Sequence, residues 1–163
     1  MLGIGWGVEA NMDIFLSFEK LIEKIGGKAI NMTGITNEKK ALYHATAVAA
    51  SNFVTSSIKL AKSFADELGV SALDLIAPIA KTTLDNNIMS LNDNYSPLTG
   101  PIARGDFETV RMHLESIKNQ SLKQSYILMA RATLDLEKSK KSKEELKRWE
   151  QLFLEYGIIN DNN

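Results

Sequence analysis

The stretch from Thr36 to Gly69, TNEKKALYHATAVAASNFVTSSIKLAKSFADELG, constrains the fold more than any other part of the chain. It contains no proline, opens on a residue suited to capping a helix, Thr36 or Asn37, and ends on a glycine suited to closing one. One helix of about 30 residues, roughly 45 Å long, satisfies this pattern. Its middle, ATAVAASNFVTSS, carries small Ala, Ser and Thr side chains that let another helix approach closely. Helical patterning continues beyond it. SALDLIAPIAKTTLDNNIMSL reads as a second helix capped by Ser71, with Pro78 expected to bend it unless it starts later. NDNYSPLTGPIARG reads as a loop from its Asn, Pro and Gly content. Asp106 is then expected to cap FETVRMHLESIKNQ, and Ser121 to begin LKQSYILMARATLDLEKS. SKEELKRWEQLFLEYG makes a last helix with Leu146, Trp149, Phe153 and Tyr156 along one side. The expected fold is mainly α, a bundle of long helices over residues 35–157 with a short tail at 158–163.

The start of the chain is patterned differently. MLGIGWGVEA sets Gly3, Gly5 and Gly7 close together, as a dinucleotide-binding turn would. Such a turn needs a buried strand, then G-x-G-x-x-G, then a helix whose first amides meet the pyrophosphate. Here Val8 stands at the sixth place, no strand precedes the glycines, and the next helix cannot start before about Asn11 or Met12. IGWGVEA therefore reads as a strand. NMDIFLSFEKLIEKIGG follows as an amphipathic helix with Ile14, Phe15, Phe18, Leu21, Ile22 and Ile25 at three- and four-residue spacing, stopped by Gly26 and Gly27. KAINM reads as a second strand, so residues 1–34 hold a β-α-β unit whose strands are expected to be parallel. Two strands make a poor sheet, and the unit looks like the end of something longer.

Composition narrows the chemistry. The 163 residues are enough for one domain with a real core, and 44% hydrophobic against 24% charged is ordinary for a soluble chain. A net charge of -1 gives no pull towards nucleic acid or acidic lipid. Without cysteine there is no disulfide, zinc-thiolate site, iron-sulfur cluster or thiol nucleophile. No apolar run approaches the roughly 20 residues that span a bilayer, and no basic-then-apolar leader opens the chain, so a cytoplasmic, unanchored protein is expected.

Two places could carry chemistry. His44, Val48, Ser51 or Asn52, and Thr55 recur at helical spacing and would share one face, where His44 can give or take a proton. The competing reading makes His44 a half-exposed structural residue and Asn52 a helix-helix hydrogen bond. In SPLTGPIARGD, Pro97, Gly100, Pro101 and Gly105 fix the backbone while Thr99, Arg104 and Asp106 supply polar ends. Arg104 can hold a carboxylate or phosphate and Thr99 can add a hydroxyl; equally, Asp106 is a helix cap and Arg104 a surface ion-pair partner. Thr82, Thr83, Asp85 and Asn86 are polar residues near a helix end and carry little weight. No metal-ligand spacing occurs, and the lysine-rich EKSKKSKEELKR reads as a solvated turn with no case for nucleic acid or membrane.

ALYHATAVAASNF, LTGPIARGD and TVRMHLE, in that order, resemble a known family over most of residues 8 to about 135. The chain is similar to the C-terminal helical domain, a domain of unknown function, of Rossmann-like NADP-dependent oxidoreductases, relatives of pyrroline-5-carboxylate reductase. The resemblance implies a helical domain like the 6-phosphogluconate dehydrogenase C-terminal fold, preceded by the last β-α-β piece of a Rossmann sheet. It implies NADP on a glycine loop upstream of Met1 and a small-molecule substrate in a cleft against the helical domain. It also implies a homodimer through the long helices. By position, His44 becomes a catalytic candidate, and Ser51, Asn52, Thr99, Gly100, Pro101, Arg104, Gly105 and Asp106 line the cleft. The expected function is the substrate-binding and dimerisation part of such an oxidoreductase, inactive without its cofactor half. The alternative is a free-standing helical dimerisation or binding module.

Overall fold

A computed structural model of the chain describes residues 3–92 and 96–157. The expected tail at 158–163, and the middle of the Asn-rich stretch at 93–95, lie outside the described residues. Contacts divide the chain into two compact units, Met1–Val54 and Thr55–Asn163.

The first unit is the β-α-β motif with the following helix. β1 (Gly5–Val8) runs parallel to β2 (Lys28–Asn31), with Gly5 opposite Lys28 and Val8 opposite Asn31. Between them, α1 (Met12–Lys24) is capped by Asn11, whose side chain accepts from the Ile14 amide at 3.0 Å. Only Phe15 and Ile22 of α1 are buried; Ile14, Phe18, Leu21 and Ile25 stay exposed. The cause is width: strands lie about 4.8 Å apart, while a helix with its side chains is about 10 Å across. Two strands cannot cover the whole apolar stripe. α2 (Asn37–Val48), capped by Thr36, belongs to this unit. The Tyr43 hydroxyl accepts from the Gly7 amide at 3.2 Å, and Lys40 pairs with Glu9 at 2.8 Å.

The expected long helix is helical from Asn37 to Leu68, but it is not one regular helix. Ala49–Phe53 is a π-helical segment between α2 and α3 (Val54–Leu68). A π turn takes up an additional residue, so the count of turns that placed His44, Ser51 or Asn52, and Thr55 on one face does not carry through it.

In the second unit, α4 (Ala72–Met89) is capped by Ser71 and holds Pro78 inside it. The expected 92–105 loop contains a helical turn, α5 (Pro101–Arg104). Pro101 starts it with a preset φ and no amide to satisfy, and Gly105 closes it at φ 74°. α6 (Phe107–Ser116) is capped by Asp106 and ends four residues before the expected Gln120. Ile117 leaves the helix in extended conformation and buries its side chain. α7 (Gln120–Glu137) is capped by Asn119, not begun by Ser121. α8 (Lys143–Gly157) opens on a reciprocal cap: the Ser142 hydroxyl accepts from the Glu145 amide at 3.1 Å, and the Glu145 carboxylate accepts from the Ser142 amide at 3.0 Å.

The core of the second unit lies in α5–α8. Ile102, Val110, Leu114, Ile127, Ala130, Leu134, Trp149, Leu152 and Phe153 form one buried cluster, with Phe107, Leu146 and Tyr156 packed against it. Trp149 stacks on Phe107 at 4.0 Å between ring centroids. Arg131–Glu150 at 3.1 Å joins α7 to α8, and Arg111–Glu155 at 3.2 Å joins α6 to α8. The lysine-rich stretch is a turn only up to Ser142, its second half being the start of α8, and two of its lysines are engaged: Lys140 pairs with the buried Glu137 at 2.9 Å and Lys141 donates to the Ala103 carbonyl at 3.3 Å.

Candidate functional site

A concavity of the second unit lies along one side of α4, where Pro78, Thr82 and Asn86 repeat at four-residue steps beside Ile79, Thr83 and Asn87. Ser96–Thr99 and Leu136 complete the wall around a cavity of about 650 Å³. That volume is in the range of small-molecule sites. Its described lining has no charged side chain, so the chemistry on offer is hydroxyl and amide hydrogen bonding, each group able to donate and accept. Part of that capacity is committed locally. Asn87 donates to the Thr83 carbonyl at 2.8 Å, and the Ser96 hydroxyl accepts from the Leu98 amide at 3.3 Å. The side chains of Thr82, Asn86 and Thr99 make no hydrogen bond to other described residues.

Of the residues expected to bind substrate, only Thr99 lines this cavity. Gly100, at φ 102°, is the bend into α5, and Pro101 is its first residue. Arg104 is exposed at the end of α5 and has no ion pair among the described residues. Gly105 has its left-handed φ to satisfy. Asp106 is a cap: one carboxylate oxygen accepts from the Thr109 amide at 3.1 Å and the other from the Thr109 hydroxyl at 2.7 Å. The Thr109 hydroxyl, then its amide, hold the Asp106 pKa below the ordinary carboxylate value.

That shift has a stability consequence. A depressed carboxylate pKa contributes stability above the unfolded value, about 4, and that contribution disappears as pH falls through the lower folded value. Asp106→Ala is therefore expected to lower the urea midpoint near neutral pH, and to differ less from the parent chain below about pH 3. Denaturation curves at both pH values check this; an equal deficit at each would show that the cap acts without its charge.

His44, Ser51 and Asn52 belong to the first unit and line none of this cavity. His44 is exposed on α2, its imidazole without a hydrogen bond to other described residues. Ser51 and Asn52 sit in the π segment, a kind of turn that recurs at functional sites. Thr82, Thr83 and Asn86, given little weight in the sequence, are central to the cavity wall, and Asn87 and Ser96 were not singled out at all. The available signal was the four-residue repeat following Pro78. Among the described residues no group of three His, Asp or Glu side chains could hold a metal ion, and no helix is long and apolar enough to cross a membrane.

Comparison with known proteins finds a family match over residues 4–133, to a domain of unknown function, DUF2520. No curated protein and no solved structure matches the chain. The family match spans the β-α-β unit, the helices α2–α6 and most of α7, with the cavity's α4 and Ser96–Thr99 inside it. It stops short of α8, which supplies Trp149, Leu152 and Phe153 to the core. The chain belongs to the DUF2520 family.

Proposed function

We propose that these residues form the substrate-binding and dimerisation part of an NADP-dependent oxidoreductase acting on a small metabolite. The observation that carries the binding half is the cavity along α4, whose described lining offers hydroxyl and amide groups. The reaction class rests on the resemblance carried by LYHATAVAASN and TGPIARGD. In this reading Thr82, Asn86 and Thr99 hold polar groups of the substrate, and Arg104 attracts an anionic one from the surface. The glycines at the start do not fit the cofactor. Gly5 and Gly7 lie in β1, and a side chain at Gly7 would meet Tyr43 at 3.0 Å and Met32 at 3.2 Å, so close packing accounts for it. No step is assigned to NADP on these residues.

The dimerisation half is supported by apolar side chains exposed on α4 and just after it. Leu73, Ile79, Ile88, Met89 and Leu91 are all more than half exposed. The same observation favours the second reading, a helical dimerisation module without catalysis. Ligand binding separates the two. Saturation-transfer NMR with a panel of small keto, hydroxy and imino acids is expected to find a binder. The double change Asn86→Ala, Thr99→Ala is expected to weaken that binder roughly tenfold or more, for two hydrogen bonds of about 1 kcal/mol each. No binder, or one indifferent to both changes, would leave only the module. Light scattering at micromolar concentration is expected to give twice 18.1 kDa; a monomer mass would reject dimerisation in either reading.

A further inference from the structure

We propose that a second small-molecule site lies between α3, α6 and α7 of the second unit, and that it takes a protonated amine with an aromatic or aliphatic body. A cavity of about 480 Å³ opens there, within the range of small-ligand sites. Phe64, Leu68, Ile117 and Tyr126 make its apolar wall, and Glu67 and His113 add polar groups. The wall is built from rings set edge to face. Phe64 and Tyr126 meet at 6.4 Å and 68°, and Tyr126 and His113 at 5.8 Å and 86°. Rings so arranged present π faces in more than one direction, the geometry that attracts a cation.

Tyr126 is held in place by a 2.8 Å hydrogen bond between its hydroxyl and His113 Nδ1. Burial raises the Tyr126 pKa, so the phenol stays neutral and adds no negative charge. Glu67 is then the acidic residue of the lining and is itself exposed, and among the described residues no lysine or arginine lines the cavity. A carboxylate in the lining of an aromatic-walled cavity favours a cationic head group over an anionic one, while Leu68 and Ile117 receive the apolar body. None of these residues lines the α4 cavity, so the two sites can fail independently.

The test uses three probes of one size on the whole chain: phenethylamine, phenethyl alcohol and phenylacetate, titrated by ligand-observed NMR. Phenethylamine is expected to bind about tenfold more tightly than the alcohol, the sum of a cation–π contact and a partly screened charge pair, and phenylacetate more weakly than either. Glu67→Gln, at an exposed position, is expected to cut the preference for amine over alcohol to the few-fold that the cation–π contact alone supplies, while alcohol binding persists. Phe64→Leu is expected to weaken both, with circular dichroism confirming that the helices remain. Absence of amine binding at millimolar concentration would overturn the proposal, as would equal affinity for amine and alcohol in the parent chain. An amine preference undiminished by Glu67→Gln would also overturn it.

Discussion

Trp149→Ala is expected to destabilise the second unit by about 3–5 kcal/mol, enough to unfold a large share of it at room temperature. Trp149 is fully buried, stacked on Phe107 at 4.0 Å and within 5.8 Å of the Phe153 ring. Truncation opens a cavity in the close-packed cluster of α5–α8, which relaxes only partly around the lost ring. One detail separates the aromatic volume from the polar atom. Trp149 Nε1 is buried and has no hydrogen-bond partner among the described residues. Trp149→Phe removes that orphan donor together with part of the ring, so its cost is expected to be well below that of the alanine variant. Urea unfolding followed by far-ultraviolet circular dichroism distinguishes the two. Equal losses would mean that the indole N–H is not the burden its burial implies.

The second large effect is expected in the first unit, from Gly27→Ala, at about 1–3 kcal/mol. A Cβ at Gly27 would stand 2.8 Å from Ile22 Cγ2 and 2.8 Å from Trp6 Nε1, inside any normal contact distance. Trp6 is partly exposed and can move; Ile22 is one of only two buried residues of α1 and cannot move without uncovering the sheet. Because the chain has two tryptophans, the Trp149→Phe background leaves Trp6 as the only indole reporting. Its fluorescence during urea unfolding should show a lower midpoint for Gly27→Ala in that background. An unchanged midpoint would mean that Trp6 and Ile22 yield together at no cost.

Much of the local structure was readable because its causes are local. Thr36, Ser71 and Asp106 each cap the helix expected of them, since a short side chain needs only the amide three residues on. The apolar side of α8 was readable for the same reason: Trp149 and Phe153 recur one turn apart and are both fully buried. Asn119 was passed over for Ser121 because both can cap, and the choice depends on where Ile117 buries itself. α5 was hidden because a single turn bounded by Pro101 and Gly105 has the composition of a loop. The π segment at Ala49–Phe53 has no compositional mark at all. Its neighbours were counted at 3.6 residues per turn, a count that does not run unbroken through a π turn.

The candidate cavity divides the same way. The repeat Pro78, Thr82, Asn86 lies on one helix and is periodic, so it was open to reading; that Ser96–Thr99 and Leu136 close over it depends on contacts between distant segments. Sequence by itself determined the two parallel strands, most helix starts and the apolar stripe of each amphipathic helix, because these follow from steric and hydrogen-bonding rules acting over a few residues. Only the tertiary structure decided which stripes meet. It put the core in α5–α8, left α4 largely exposed and set His113 against Tyr126, because burial belongs to pairs of surfaces and periodicity describes only one surface at a time.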